Sequence, residues 1–161
     1  MKKSASVLIA AITLASTFAL AQTDTQKAFA TLKSMPGTWQ GSSPEGPVKV
    51  TFKVTAGGSA VMSEILGKED MISMFHMDGD RLLMTHYCAV GNQPRMAASV
   101  SPDGKTFTFT YVDATNLSAP DAGHMQQMIL TVIDQNHHTE EWVFADHGHE
   151  HRVTFDLHRT V

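Results

Sequence analysis

The chain has 161 residues, 42% of them apolar and 17% charged, which suits one domain with a packed core and excludes a disordered, collagen-like or coiled-coil polymer. Acidic residues outnumber basic ones 16 to 12, for a net charge of −4, so the clustered positive charge that nucleic-acid binding needs is missing. The single cysteine, Cys88, excludes an internal disulfide and any cysteine-based zinc or iron–sulfur centre.

Met1-Lys2-Lys3 is a basic start, and the run Val7–Ala21 is small and apolar and closes on Ala19-Leu20-Ala21. This is the pattern of a secretory signal peptide with an Ala-x-Ala cleavage site. A membrane anchor needs about 20 apolar residues, and this run is shorter and broken by Thr13, Ser16 and Thr17. The expectation is a mature chain from Gln22, periplasmic or secreted, with no stable membrane anchor.

From Gln22 to Pro36 the N-terminal segment carries one amphipathic helix, Asp24–Met35, with Thr25 or Asp24 as cap. Ala28, Phe29, Leu32 and Met35 fall at helical spacing, and Pro36-Gly37 is the stop. After Gly37 the period changes to two. Val48, Val50, Phe52 and Val54 alternate with polar residues, and Gly57-Gly58 turns the chain into Ser59–Leu66. Asp78-Gly79 joins Met71–Met77 to Asp80–Cys88, and Pro102-Asp103-Gly104 joins Arg95–Ser101 to Lys105–Val112. Met125–Ile133, His138–Ala145 and His149–His158 follow. With Thr38–Gly41 these make about ten strands at the even spacing of an antiparallel up-and-down barrel or sandwich.

Gly37-Thr38-Trp39-Gln40-Gly41, opening the first strand after a short helix, resembles the Gly-x-Trp of lipocalins and the Gly-x-Trp-x-Gly of nitrobindin-type barrels. The stretch from Met74 to Met96, containing FHMDGDRLLMTHYCAVGNQPRM, resembles a family of secreted bacterial domains of unknown function, as do Asp113-Ala114-Thr115-Asn116-Leu117 and His124-Met125. The resemblance covers nearly the whole mature chain. It implies a mainly β, closed, calycin-like barrel over residues 37–161 and brings no activity with it.

Turn lengths set strand registers, because a slip of one residue moves every side chain to the other face. A two-residue loop at His147-Gly148 opposes Phe144 to His151, Trp142 to Val153 and Glu140 to Phe155, placing Glu140 and Trp142 inside and Glu141 and His158 outside. A three-residue Pro-Asp-Gly loop opposes Ser99 to Phe107, Ala97 to Phe109 and Arg95 to Tyr111, placing Arg95 inside. For the Asp78-Gly79 hairpin the face without an obligate charge is taken as interior: Met71, Ser73, Phe75, Leu82, Met84, His86 and Cys88. Glu64 points outward, opposite Lys49 or Thr51, where an exposed ion pair explains it.

Charge inside an apolar lumen is costly unless it is paired or meets a ligand. The interior set Glu140, Arg95, His86, Tyr111 and Trp142, with Phe107 and Phe109, reads either as an internal Arg95–Glu140 pair with water or as a ligand site. In the second reading Arg95 clamps an acidic or polar head, and Phe107, Phe109 and Trp142 hold an apolar body. The expected function is extracytoplasmic binding of a small, largely apolar ligand. An enzyme acting on such a molecule, or a metal- or haem-binding barrel, is the alternative.

No cofactor is expected from the residues. His147, His149 and His151 form the densest histidine group, with His149 and His151 as copper or zinc candidates, but Gly148 breaks their shared face and no zinc spacing is matched. Nitrobindin-type barrels hold haem through a late-strand histidine, for which His158 is nearest in sequence. Its solvent-facing register opposes that role and leaves His149 or His151 as fallback. His86 and Cys88 stand about 7 Å apart along a strand, too far for a thiol–base pair.

Overall fold

The computed structural model describes residues 21–67 and 69–160. The predicted leader, apart from Ala21, lies outside the described residues. Among the described residues one α-helix precedes ten strands: α1 (Asp24–Leu32), β1 (Gly37–Ser43), β2 (Gly46–Thr55), β3 (Ala60–Leu66), β4 (Met71–Asp78), β5 (Arg81–Tyr87), β6 (Gln93–Val100), β7 (Thr106–Thr115), β8 (His124–Asp134), β9 (His137–Asp146) and β10 (His149–Arg159). Each strand pairs antiparallel with its chain neighbours, and β1 pairs with β10 to close the barrel. Among the described residues no helix is long and apolar enough to cross a membrane.

Helix α1 starts on a capping box in which the Thr23 hydroxyl accepts from the Gln26 amide and the Gln26 side chain accepts from the Thr23 amide. It ends at Leu32, one turn before the sequence predicts, because Pro36 and Gly37 follow and the Met35 amide closes a tighter turn onto the Leu32 carbonyl. Its buried face, Ala28, Phe29 and Leu32, closes one end of the barrel against β4, β5 and β6. Full burial of Phe29 and Leu32 is worth about 1.5–3 kcal/mol each. Trp39 is buried at the same end, with its Nε1 donating to the Met35 carbonyl at 3.0 Å and the Arg159 guanidinium lying over its ring at 4.3 Å. Arg159 also donates to the Pro36 carbonyl at 2.6 Å, tying the last strand to the helix exit.

Most inward positions are those the alternation marks. In β4 and β5 Ser73, Phe75, Leu82, Met84 and His86 are all buried. His147 and Gly148, both at positive φ, make the expected two-residue turn, and Trp142 pairs with Val153 and Glu140 with Phe155. Glu64 opposes Thr51, whose hydroxyl donates to it at 3.4 Å, so a hydroxyl stands where an ion pair was one expectation.

The β6–β7 register differs from the sequence reading by one residue. The Ser101 hydroxyl donates to Asp103 at 2.6 Å and accepts from the Thr106 amide, and the Asp103 carboxylate accepts from the Lys105 amide. This network closes a four-residue loop between Ser101 and Thr106, so Val100 opposes Phe107 and Ala98 opposes Phe109. The slip turns Arg95 outward, and an irregularity between Arg95 and Met96 then pairs Arg95 with Asp113. Arg95 is therefore a surface residue, not a lumen clamp.

Gly41, the last residue of Gly-x-Trp-x-Gly, lies where β1 and β10 close the cylinder. A Cβ there would stand 1.6 Å from the Asp156 carbonyl oxygen. Gly41→Ala is expected to lower unfolding free energy by about 3 kcal/mol or more through overpacking of the seam, with Gln40→Ala close to wild type. Urea denaturation compares them, and equal midpoints for both variants would contradict this tight seam.

Candidate functional site

Strand β9 sends Phe144, Trp142, Glu140 and His138 in order from the open mouth toward the closed end, since alternate residues share a face. Glu140 and His138 are each 1% exposed. The Trp142 indole donates to Glu140 Oε2 at 3.0 Å, and His138 Nε2 donates to Oε1 at 3.2 Å. His138 packs edge-on against Trp39, with centroids 4.3 Å apart, and its Nδ1 has no partner.

On the facing wall the His86 ring lies 4.9 Å from the Trp142 ring, its Nδ1 2.9 Å from the Ser73 hydroxyl and its Nε2 buried without a partner. Burial lowers the His86 pKa to about 4, because a cation there would be stripped of water. The barrel thus carries a polar interior: a carboxylate with two donors, and a neutral imidazole beside them.

Above Trp142 the mouth opens into a cavity of about 270 Å³. Its walls are apolar, with Ile65, Met71, Met125, Phe144 and Phe155, and Glu45 and His151 are its ionisable members. Two larger hollows are more polar. One of about 590 Å³ at the closed end is bordered by Lys105, Asp134, Asn136 and Arg159 around Met35 and His138. The other, of about 600 Å³, lies among the mouth loops beside Asn92, Asn116 and Asp146.

The sequence-predicted residues separate into four groups. His86, Glu140 and Trp142 come together as expected, and Glu141 lies outside in a 2.6 Å ion pair with Arg152. Phe107 and Phe109 are interior but fully packed, Phe109 edge-on to Phe75, and border none of the hollows described above. Tyr111, half-buried, lies against the His124 ring at 4.5 Å. Arg95 is outside, in a two-pronged pair with Asp113. The sequence reading missed His138, which the alternation from Glu140 would have supplied, and the mouth residues Met71, Met125 and Phe144 as a lining.

His158 does not fit a haem ligand. It is exposed on the outer face, stacked on His137 and beside Asp156. His149 is exposed at the start of β10, and the cavity at His151 is smaller than a tetrapyrrole requires. Burial also pushes the Cys88 thiol up, away from the reactive thiolate.

Among solved structures the barrel has a clear counterpart. The crystal structure of Rv2717c from M. tuberculosis matches with a TM-score of 0.56 at 16% sequence identity, over 83% of this chain and 98% of that one. At that identity the likeness is one of fold. No protein-family model and no curated protein sequence matches the chain.

The depressed His86 pKa fixes a pH response. The folded group stays neutral from its ordinary 6.5 down to about 4, while the unfolded group takes up a proton across that window. Its contribution is therefore complete above 6.5 and is lost as pH falls toward 4. Between pH 7.5 and 4.5 wild type should lose about 2 kcal/mol more unfolding free energy than His86→Gln. Parallel losses in urea titrations at the two pH values would contradict a neutral buried imidazole.

Proposed function

We propose that this protein is an extracytoplasmic binding protein for a small, largely apolar ligand with an uncharged polar head, seated in the mouth cavity on the ring of Trp142. The observation that carries this reading is an apolar cavity ending on a polar-backed floor. Concave apolar walls with a few fixed polar groups are the usual form of a small-molecule site. The helix-plugged ten-strand barrel supports a calycin-like assignment, and the leader pattern supports a periplasmic or secreted location.

The head group follows from charge. Arg95 is outside, the cavity lining holds no lysine or arginine among the described residues, and Glu140 lies behind its floor. Among the described lining residues a ligand carboxylate would meet the Glu45 carboxylate, with Glu140 behind the floor and the His151 imidazole as the one basic group, so an alcohol, amide or similar head is favoured over an acid. His86 and the His138–Glu140 pair do not line the mouth cavity, which favours binding over catalysis at that site.

Intrinsic tryptophan emission tests the reading, because Trp142 floors the cavity and Trp39 lies at the closed end. Decanol should change the emission saturably, at least about tenfold more tightly than decanoate, a difference of about 1.4 kcal/mol. Trp142→Phe should remove the signal, and Met71→Glu should abolish binding while Tyr87→Gln leaves it intact. Absence of a saturable change with either ligand would overturn the mouth site, and tighter binding of decanoate would overturn the head-group assignment.

A further inference from the structure

A row of side chains crosses four strands on the outer face near the closed end. Gln40 of β1 opposes His158 of β10, His158 opposes His137 of β9, and His137 opposes Asp134 of β8. Directly opposed residues share a face and stand about 4.5–5.5 Å apart at Cβ. Asp156, two residues before His158 on β10, shares that face. Its carboxylate Oδ1 lies 2.8 Å from His137 Nε2 and 3.5 Å from His158 Nε2, and the two imidazole rings stack with centroids 4.1 Å apart.

We propose that His137, Asp156 and His158 form a binding site for a divalent transition-metal ion of the zinc or copper class. One ligand atom from each residue lies within 4.8 Å of the other two, so small rotations of exposed rings bring all three onto one ion. Two imidazole nitrogens and a carboxylate oxygen are the donors that zinc, copper and nickel accept. A cluster of three protein ligands leaves a fourth position for water.

The apo arrangement also fits that role. Both Nε2 atoms face the same carboxylate oxygen, and each can donate a proton to it. When a metal binds, each ring carries its proton on Nδ1 and turns the Nε2 lone pair to the ion, so one hydrogen bond and one 3.5 Å contact give way to three bonds to one cation. Asp134 at the end of the row adds a negative charge beside His137, which favours a cation there. The three ligands stand on paired strands of the closed sheet, not on a loop, so little backbone order is required on binding. This site lies outside the barrel and is independent of the mouth cavity.

Isothermal titration of tag-free protein with zinc chloride tests it, with folding of each variant checked by thermal melting. One ion per chain is expected, with affinity falling at least about tenfold in each of His137→Gln, Asp156→Asn and His158→Gln. His147→Gln and His149→Gln should bind as wild type. Tetrahedral cobalt absorption in wild type and its loss in His158→Gln gives a second readout of the same ligands. No saturable binding would overturn the proposal, as would affinity that follows His147 and His149 instead of the three ligands.

Discussion

Glu140 is a carboxylate held at 1% exposure in the middle of a barrel, and much of the interior is arranged around keeping it there. Its two oxygens are met from both directions along the same strand, by the Trp142 indole toward the mouth and the His138 imidazole toward the closed end. A buried carboxylate without such donors is costly by several kcal/mol. Residues 138, 140 and 142 alternate along one strand and so face inward together, and a one-residue slip of β9 would carry all three to the outer face. Trp142 and His138 are oriented by the same two bonds, and each then packs an aromatic neighbour: Trp142 against His86, His138 against Trp39.

That central pairing divides the barrel along its axis. Below it the closed end is sealed by α1, Trp39 and the Arg159 latch. Around it Phe75, Phe107, Phe109, Met84 and Met96 fill the lumen completely, as protein interiors require. Space remains above Trp142, where β3, β4, β8, β9 and β10 contribute Ile65, Met71, Met125, Phe144 and Val153 and the chain reverses in turns. The polar groups that define the interior are therefore positioned to stiffen the floor of a cavity. The outer His137–Asp156–His158 group draws on the same β9–β10 pairing, because the register that turns Glu140 inward turns His137 and His158 outward together.

The two-residue reversal at His147-Gly148 made that hairpin legible from sequence. Its turn type is written in one glycine, and the alternation from Phe144 to His138 then follows. The same pairing rule extended to His137 and His158 would have exposed the outer cluster, which histidine density around residue 149 obscured. Arg95 was misplaced because Pro-Asp-Gly specifies a turn without specifying its length. The deciding hydrogen bonds, from Ser101 and to Asp103, depend on side chains at the loop's margins. The mouth cavity had no local signature, since Ile65, Met71, Met125 and Phe144 meet only after the sheet has curled and closed.

Methionine methyl groups report directly on which part of the barrel takes a ligand. Met71 and Met125 line the mouth, Met84, Met96 and Met128 are in the packed middle, and Met35 borders the closed-end hollow. In a methyl-labelled NMR titration with decanol, saturable shifts are expected at Met71 and Met125, with Met35 and the packed methionines unmoved. Shifts centred on Met35, or no saturable shift at Met71 and Met125, would contradict it.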